Sequence, residues 1–134
     1  MAVEFHDFRM QCKNVVESKA FQWLEEASGE VESTAVDNTP VDTGQLKGAW
    51  AHRVDKTKYE AVVGNPLEYS VWQEFGTGEY ALEGNGRKGG WVYKDDKGKR
   101  HFTYGNKPVR MLHNAYITKK SFIINYERQL FKGL

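Results

Sequence analysis

The sequence predicts an α+β fold in which a long N-terminal helix and a C-terminal helix pack on a small antiparallel β-sheet, with a short helix after each of two motifs. Three observations carry that prediction. Apolar residues recur at steps of three and four near both ends of the chain, short alternating stretches lie between them, and prolines and glycines fall where each element must stop. A chain of 134 residues is the size of one domain able to bury roughly two-thirds of its unfolded surface. One domain over 1–134 is therefore expected, a long helix over 3–38 leading into an α+β core over 39–134.

In the first helix the apolar positions are Phe5, Phe8, Cys12, Val15, Val16, Ala20, Leu24, Ala27, Val31 and Ala35, all on one side, and Pro40 closes the element. About 30 helical residues span about 45 Å, more than a domain of this size covers, so part of the helix is expected to project or to pack on a partner. Gly29 costs about 1 kcal/mol in a helix interior, which predicts a bend near Ser28-Gly29. Cys12 is the sole cysteine; it excludes an intrachain disulfide and is expected as a small buried hydrophobe.

Asp42, with Gln45 three residues later, has the spacing of a helix cap with a reciprocal partner, predicting a short helix from Thr43 to about Trp50 with Leu46 and Trp50 inward. Ala51 to Gly64 reads as two strands around Asp55-Lys56-Thr57-Lys58, with Tyr59, Ala61 and Val63 alternating in the second. Asn65 is expected to cap the next helix, with Pro66 at its first position, Glu68 completing the box and Gly76 ending it. Along that helix Leu67, Val71 and Phe75 form one predicted buried stripe, flanked by Tyr69 and Trp72. Six glycines in 76–90 predict an exposed, flexible loop. Trp91 to Tyr104 reads as a hairpin turning at Asp95-Asp96-Lys97-Gly98; a four-residue turn puts Trp91, Tyr93, Phe102 and Tyr104 on one face. After Pro108 an amphipathic helix runs to about Phe131 on Leu112, Ala115, Tyr116, Phe122, Ile123, Tyr126 and Leu130.

Composition excludes several function classes. At 40% hydrophobic and 13% aromatic residues the chain is globular, with no apolar run near the roughly 20 residues of a membrane helix. Acids precede any apolar stretch at the N-terminus, unlike a signal peptide, so a soluble protein made in the cytoplasm is expected. Gly84-Asn85-Gly86-Arg87-Lys88-Gly89 matches the letters of a dinucleotide fingerprint but precedes a strand instead of opening a helix, and no P-loop sequence exists. His6, His52, His101 and His113 show no metal-ligand spacing. Glu68 and Glu74, six positions apart, point about 240° apart on a helix and do not converge on a substrate. No catalytic set is suggested, so neither enzyme activity nor a cofactor is expected.

Charge is uneven. Residues 1–38 hold three basic and eight acidic side chains, and residues 84–134 hold twelve and three. That asymmetry suits acidic and basic faces that meet between copies, or a basic surface near nucleic acid. Arg87, Lys88, Trp91, Tyr93, Lys99 and Arg100 are the candidates for an interface or for nucleic acid. The alternative function they suggest is a single-stranded nucleic-acid-binding module using the basic aromatic hairpin 91–104.

Two phrases narrow the choice. Pro40, Val41, Asp42, Thr43, Gly44 and Leu46, followed by Glu68, Tyr69, Glu74, Phe75, Gly76, Thr77 and Gly78, resemble in order and separation the motifs of the head–tail joining (neck, or tail-completion) proteins of tailed bacteriophages. Pro108, Met111, Leu112 and Ala115 fit that family's third segment loosely, and the basic stretch 84–105 is longer than its usual loop. The resemblance implies a structural virion protein of the neck or tail, made in the bacterial host cytoplasm. It would be a subunit of a ring, expected to hold six copies, between the portal-connector and the tail. Implied partners are other copies of itself, a connector or head-completion protein, and a tail-tube or tail-terminator protein, with packaged DNA nearby and no membrane. The motif residues are then structural or interface positions.

Overall fold

The computed structural model describes residues 2–41 and 44–134. Asp42 and Thr43, on which the predicted cap rests, lie outside the described residues. Helix α1 (Arg9–Asn38) and helix α4 (Met111–Phe131) form an antiparallel pair that frames the molecule. Asn38 Nδ2 donates to the Met111 carbonyl at 3.2 Å, Lys119 pairs with Glu30 at 3.1 Å, and Trp23 Nε1 donates to the Ile123 carbonyl at 2.8 Å. Continued at that offset, the end of α4 lies beside about residue 17, so residues 9–16 of α1 overhang it by about 12 Å.

Helix α1 starts at Arg9, later than the predicted 3–38, because nothing packs on the preceding residues and helices in proteins persist mainly through burial of one face. Asp7 marks the start: its carboxylate accepts the Arg9 backbone N–H at 3.0 Å and grips the guanidinium at 2.6 Å. The predicted bend is absent. Helix α1 runs unbroken through Gly29, where Ala27, Ser28 and Val31 are buried and outweigh the glycine's propensity cost. Cys12 is exposed, contrary to expectation, because it sits on the overhang.

The core lies at the opposite end of the pair. Val31, Ala35, Leu46, Trp50, Met111 and Ala115 are its buried members, with Val63, Leu67 and Ile123 packed at its edge. Trp50 Nε1 donates to Thr39 Oγ1 at 2.7 Å, and that hydroxyl donates to the Ala35 carbonyl at 2.6 Å, so the buried polar groups at the end of α1 are satisfied. Helix α2 (Gln45–Gly48) is one turn, shorter than the predicted Thr43–Trp50.

Two separate two-stranded hairpins stand in place of the single predicted sheet. The first, β1 (Ala51–Asp55) with β2 (Glu60–Gly64), lies along α1. His52 sits between Glu25, at 2.7 Å, and Glu32. At the hairpin tip Tyr59 stacks on Phe21 with centroids 5.4 Å apart and donates to Glu17 at 2.5 Å. Tyr59 belongs to the turn, with φ of 52°, and not to the second strand. The second hairpin, β3 (Trp91–Lys94) with β4 (Arg100–Thr103), follows helix α3 (Glu68–Phe75), whose end leads into a 3-10 turn at Gly78–Tyr80.

Candidate assembly surfaces

The two sequence motifs meet in space. Pro40, Gly44 and Leu46 of the first and Leu67, Tyr69 and Gln73 around the second line a hollow of about 200 Å³. Asn65 joins them: its Nδ2 donates to the Leu46 carbonyl at 2.9 Å while its Oδ1 accepts the Leu67 N–H at 3.1 Å. Asn65 thus closes a turn ahead of α3 and does not cap it; Glu68 is the first helical residue, so Pro66 lies outside the helix and Glu68 does not complete a box. Val41 and Glu68 are exposed.

Helix α3 is turned otherwise than its apolar spacing predicts. Its buried residues are Ser70 and Glu74, while Val71 and Phe75 are 53% and 42% exposed and Leu67 is half-buried. The physical reason is the start of α4. That helix has no acidic residue in its first turn and no side-chain cap of its own, so its open N–H groups require an outside acceptor. Glu74 supplies it, accepting from Leu112 N at 2.9 Å and His113 N at 3.0 Å, with the Arg110 guanidinium 3.8 Å away. A carboxylate suits a helix N-terminus both by hydrogen bonding and by charge. Glu74 is therefore a joint between α3 and α4, a role the sequence reading missed. The legible signal was α4 itself, a proline-led helix without a capping residue.

Gly76 and Gly78 are fixed by close approach. A Cβ on Gly76, at φ 77°, would meet the Tyr80 carbonyl oxygen at 2.8 Å, and one on Gly78, at φ 61°, would meet the Trp91 ring at 2.8 Å and the Tyr104 carbonyl. Thr77 lies between them, its N–H bonded to the Asn106 carbonyl at 2.9 Å and its hydroxyl accepting from Asn106 N at 2.8 Å. The first part of loop 76–90 is thus hydrogen-bonded to the segment after β4.

The second hairpin departs from its predicted register. Trp91 pairs with Thr103, Val92 with Phe102 and Tyr93 with His101, across a five-residue turn, Asp95–Lys99. Opposed residues share a face, so Trp91 and Tyr93 face one way and Phe102 the other. The predicted platform of four aromatics does not form. The turn is longer because Asp95 accepts the Lys97 and Lys99 N–H groups at 2.9 and 2.8 Å and pairs with His101 at 2.8 Å; the His101 bond, with those N–H groups, holds the Asp95 carboxyl below its usual range. Tyr93 stacks on His101 at 5.3 Å, and the Arg87 guanidinium lies 5.6 Å from the Trp91 ring centroid. Lys88, Lys99 and Arg100 are exposed.

Between α3 and this hairpin opens a cleft of about 610 Å³, walled by Tyr69 and Trp72 on one side and Trp91 and Tyr93 on the other. The second apolar surface is the overhang of α1. Phe5 is 92% exposed, and Phe8, Val15 and Val16 are exposed with it. Acids of α1 are partly neutralised within the chain. Glu25 and Glu32 hold His52, and their hydrogen bonds, that of Glu25 first, raise its pKa; Glu30 holds Lys119. Among the described residues no group of three or more His, Cys, Asp or Glu is arranged to hold a metal ion, and no helix is long and apolar enough to cross a membrane.

Residues 9–76, just over half of the 134, match the model of the HK97-gp10-like family, described as “Bacteriophage HK97-gp10, putative tail-component”. No curated protein and no solved structure matches the chain.

Proposed function

The chain belongs to the HK97-gp10-like family of bacteriophage tail components, and from that premise we propose that it is a ring subunit at the head–tail junction, joining the portal-connector to the tail. Its role in that reading is structural and not catalytic. The observation that carries it is the overhang: the apolar stripe buried at Ala27, Val31 and Ala35 continues through Leu24 and Ala20 to Val16, beyond the end of α4, where Val15 and Cys12 are exposed beside it. A sequence patterned for burial where its own chain supplies no cover fits a subunit completed by neighbours. Two different uncovered surfaces on one asymmetric chain suit heterologous contacts, which close into a ring when the rotation permits.

The hairpin aromatics divide between two faces, leaving only Trp91 and Tyr93 side by side, which supports the joining role over nucleic-acid binding by a four-aromatic platform. Native mass spectrometry of the chain with the connector and tail proteins encoded beside it tests the proposal. A ring that assembles with either partner supports it. A chain that stays monomeric beside all of them, yet binds single-stranded DNA with a steep salt dependence, overturns it.

A further inference from the structure

The two hairpins are held differently. The β1–β2 hairpin lies along α1, and its tip is fastened there, with Tyr59 stacked on Phe21 and the Lys56 ammonium 5.5 Å from the same ring. The β3–β4 hairpin has no comparable helix behind it. It is tethered at its base, where the Thr77 and Glu79 N–H groups donate to the Asn106 and Tyr104 carbonyls, both at 2.9 Å.

Its two faces differ in chemistry. Side chains alternate along a strand, and opposed residues share a face. Trp91, Tyr93 and Thr103 line the cleft toward α3, so Val92 and Lys94, with their cross-strand partners Phe102 and Arg100, form the face turned away from it. Val92 and Phe102 are 60% and 58% exposed, and Lys94, Arg100 and the turn residues Lys97 and Lys99 are exposed with them. None of these four cations forms an ion pair among the described residues. Of the two acids in the turn, Asp95 is occupied by the Lys97 and Lys99 N–H groups and by His101, which leaves Asp96 as the exposed counter-charge. Segment 84–107 as a whole holds seven basic and two acidic side chains.

A second copy is a poor match for this face. Helix α1 has six acids, and four of them, Glu17, Glu25, Glu30 and Glu32, already hold Lys13, His52 and Lys119. A membrane is a poor match too, since two apolar side chains bury less hydrocarbon than one acyl chain, which alone gives only marginal binding. A single strand would need a row of stacking rings, and Trp91 and Tyr93 lie on the other face. A polyanion bound through its charge remains. Duplex DNA presents one phosphate per about 1.7 Å of axis and a major groove, about 12 Å wide, that admits a two-stranded ribbon.

We propose that the outer face of the β3–β4 hairpin binds the phosphate backbone of duplex DNA without reading its sequence, with Lys94, Lys97, Lys99 and Arg100 supplying the contacts. The inference goes beyond the joining role and does not depend on it.

Fluorescence anisotropy of the full chain with a labelled duplex, titrated at several salt concentrations, tests this. Four phosphate contacts give an expected slope of log K against log salt of about −3.6, roughly a hundredfold loss of affinity between about 50 and 200 mM. Lys94→Ala with Arg100→Ala should halve that slope to about −1.8, and Lys97→Ala with Lys99→Ala should do the same. Lys56→Ala with Lys58→Ala, an equal loss of charge at the tip of the other hairpin, should leave it unchanged. All six side chains are exposed, so these variants are expected to keep the fold. No duplex binding at low salt, a slope that the β3–β4 variants leave unchanged, tighter binding to a single strand of the same length, or binding to phosphatidylserine vesicles without binding to duplex would each overturn the proposal. Ring formation is read separately, by native mass spectrometry, so the two conclusions fail independently.

Discussion

The two ends of α1 carry the same apolar periodicity and meet opposite fates. At Ala27, Val31 and Ala35 the stripe faces Met111 and Ala115 and forms the core, whereas its continuation at Val16 is exposed, with Val15 and Cys12 exposed beside it. The backbone is helical at both ends and the composition similar. The difference is the partner: α4 has 21 residues against 30 for α1, and where it stops the stripe becomes surface. Periodicity specifies which residues can be buried together; the length of the opposing element decides which ones are.

The largest expected effect separates the two ends directly. Met111 is 0% exposed in the core at the covered end, so Met111→Ala is expected to destabilise the isolated chain by about 2–5 kcal/mol in urea unfolding. The matching change in the overhang, Val16→Ala, should stay within about 0.5 kcal/mol. Equal losses at both positions would mean that the overhang is packed in the isolated chain.

A smaller effect is expected at Glu74, which holds the start of α4 at the covered end. Glu74→Ala leaves the Leu112 and His113 N–H groups without their acceptor and should cost about 1–3 kcal/mol. Glu68→Ala, on the exposed face of the same helix, should cost only a few tenths. Loss of similar size from both would contradict the assignment of Glu74 as the joint.

The weakest of the three effects is pH-dependent and lies midway along α1. The raised pKa of His52, held by Glu25 and Glu32, makes the folded state bind its proton more tightly than the unfolded chain. Its contribution is fully present below the unfolded value of about 6.5 and is lost as pH rises through the folded one. Unfolding measured between pH 6 and pH 9 should show stability falling across that interval, and His52→Ala should flatten the slope. A slope unchanged by that substitution would show that the clamp does not fasten the hairpin to α1.

The order of the elements was legible from turn residues and periodicity: α1, the β1–β2 hairpin, α3, the β3–β4 hairpin and α4 all occur near their expected positions. What was not legible depended on partners far away in sequence. Val71 and Phe75 have the spacing of a buried stripe, yet α3 turns Ser70 and Glu74 inward, because an uncapped α4 some forty residues later needs a carboxylate more than the core needs two further apolar groups. Phe75 instead lies beneath the Arg110 guanidinium at 5.3 Å, half exposed. The hairpin register failed for a local reason: Asp95 accepts two turn N–H groups and binds His101, which adds a residue to the turn and sends Phe102 to the opposite face. The motif glycines Gly76 and Gly78 were found by sequence, and the contacts that require them come from Tyr80, Trp91 and Tyr104.

The central claim is that the uncovered N-terminal end of α1 is an intermolecular surface. Val16→Asp in the otherwise unchanged chain tests it most directly, with thermal unfolding of the isolated protein and native mass spectrometry with the proposed connector and tail partners measured on the same sample. The account predicts an unfolding midpoint close to that of the parent chain together with loss of the assembled ring. A variant that assembles as the parent does, or one that loses its fold before assembly can be scored, would contradict it.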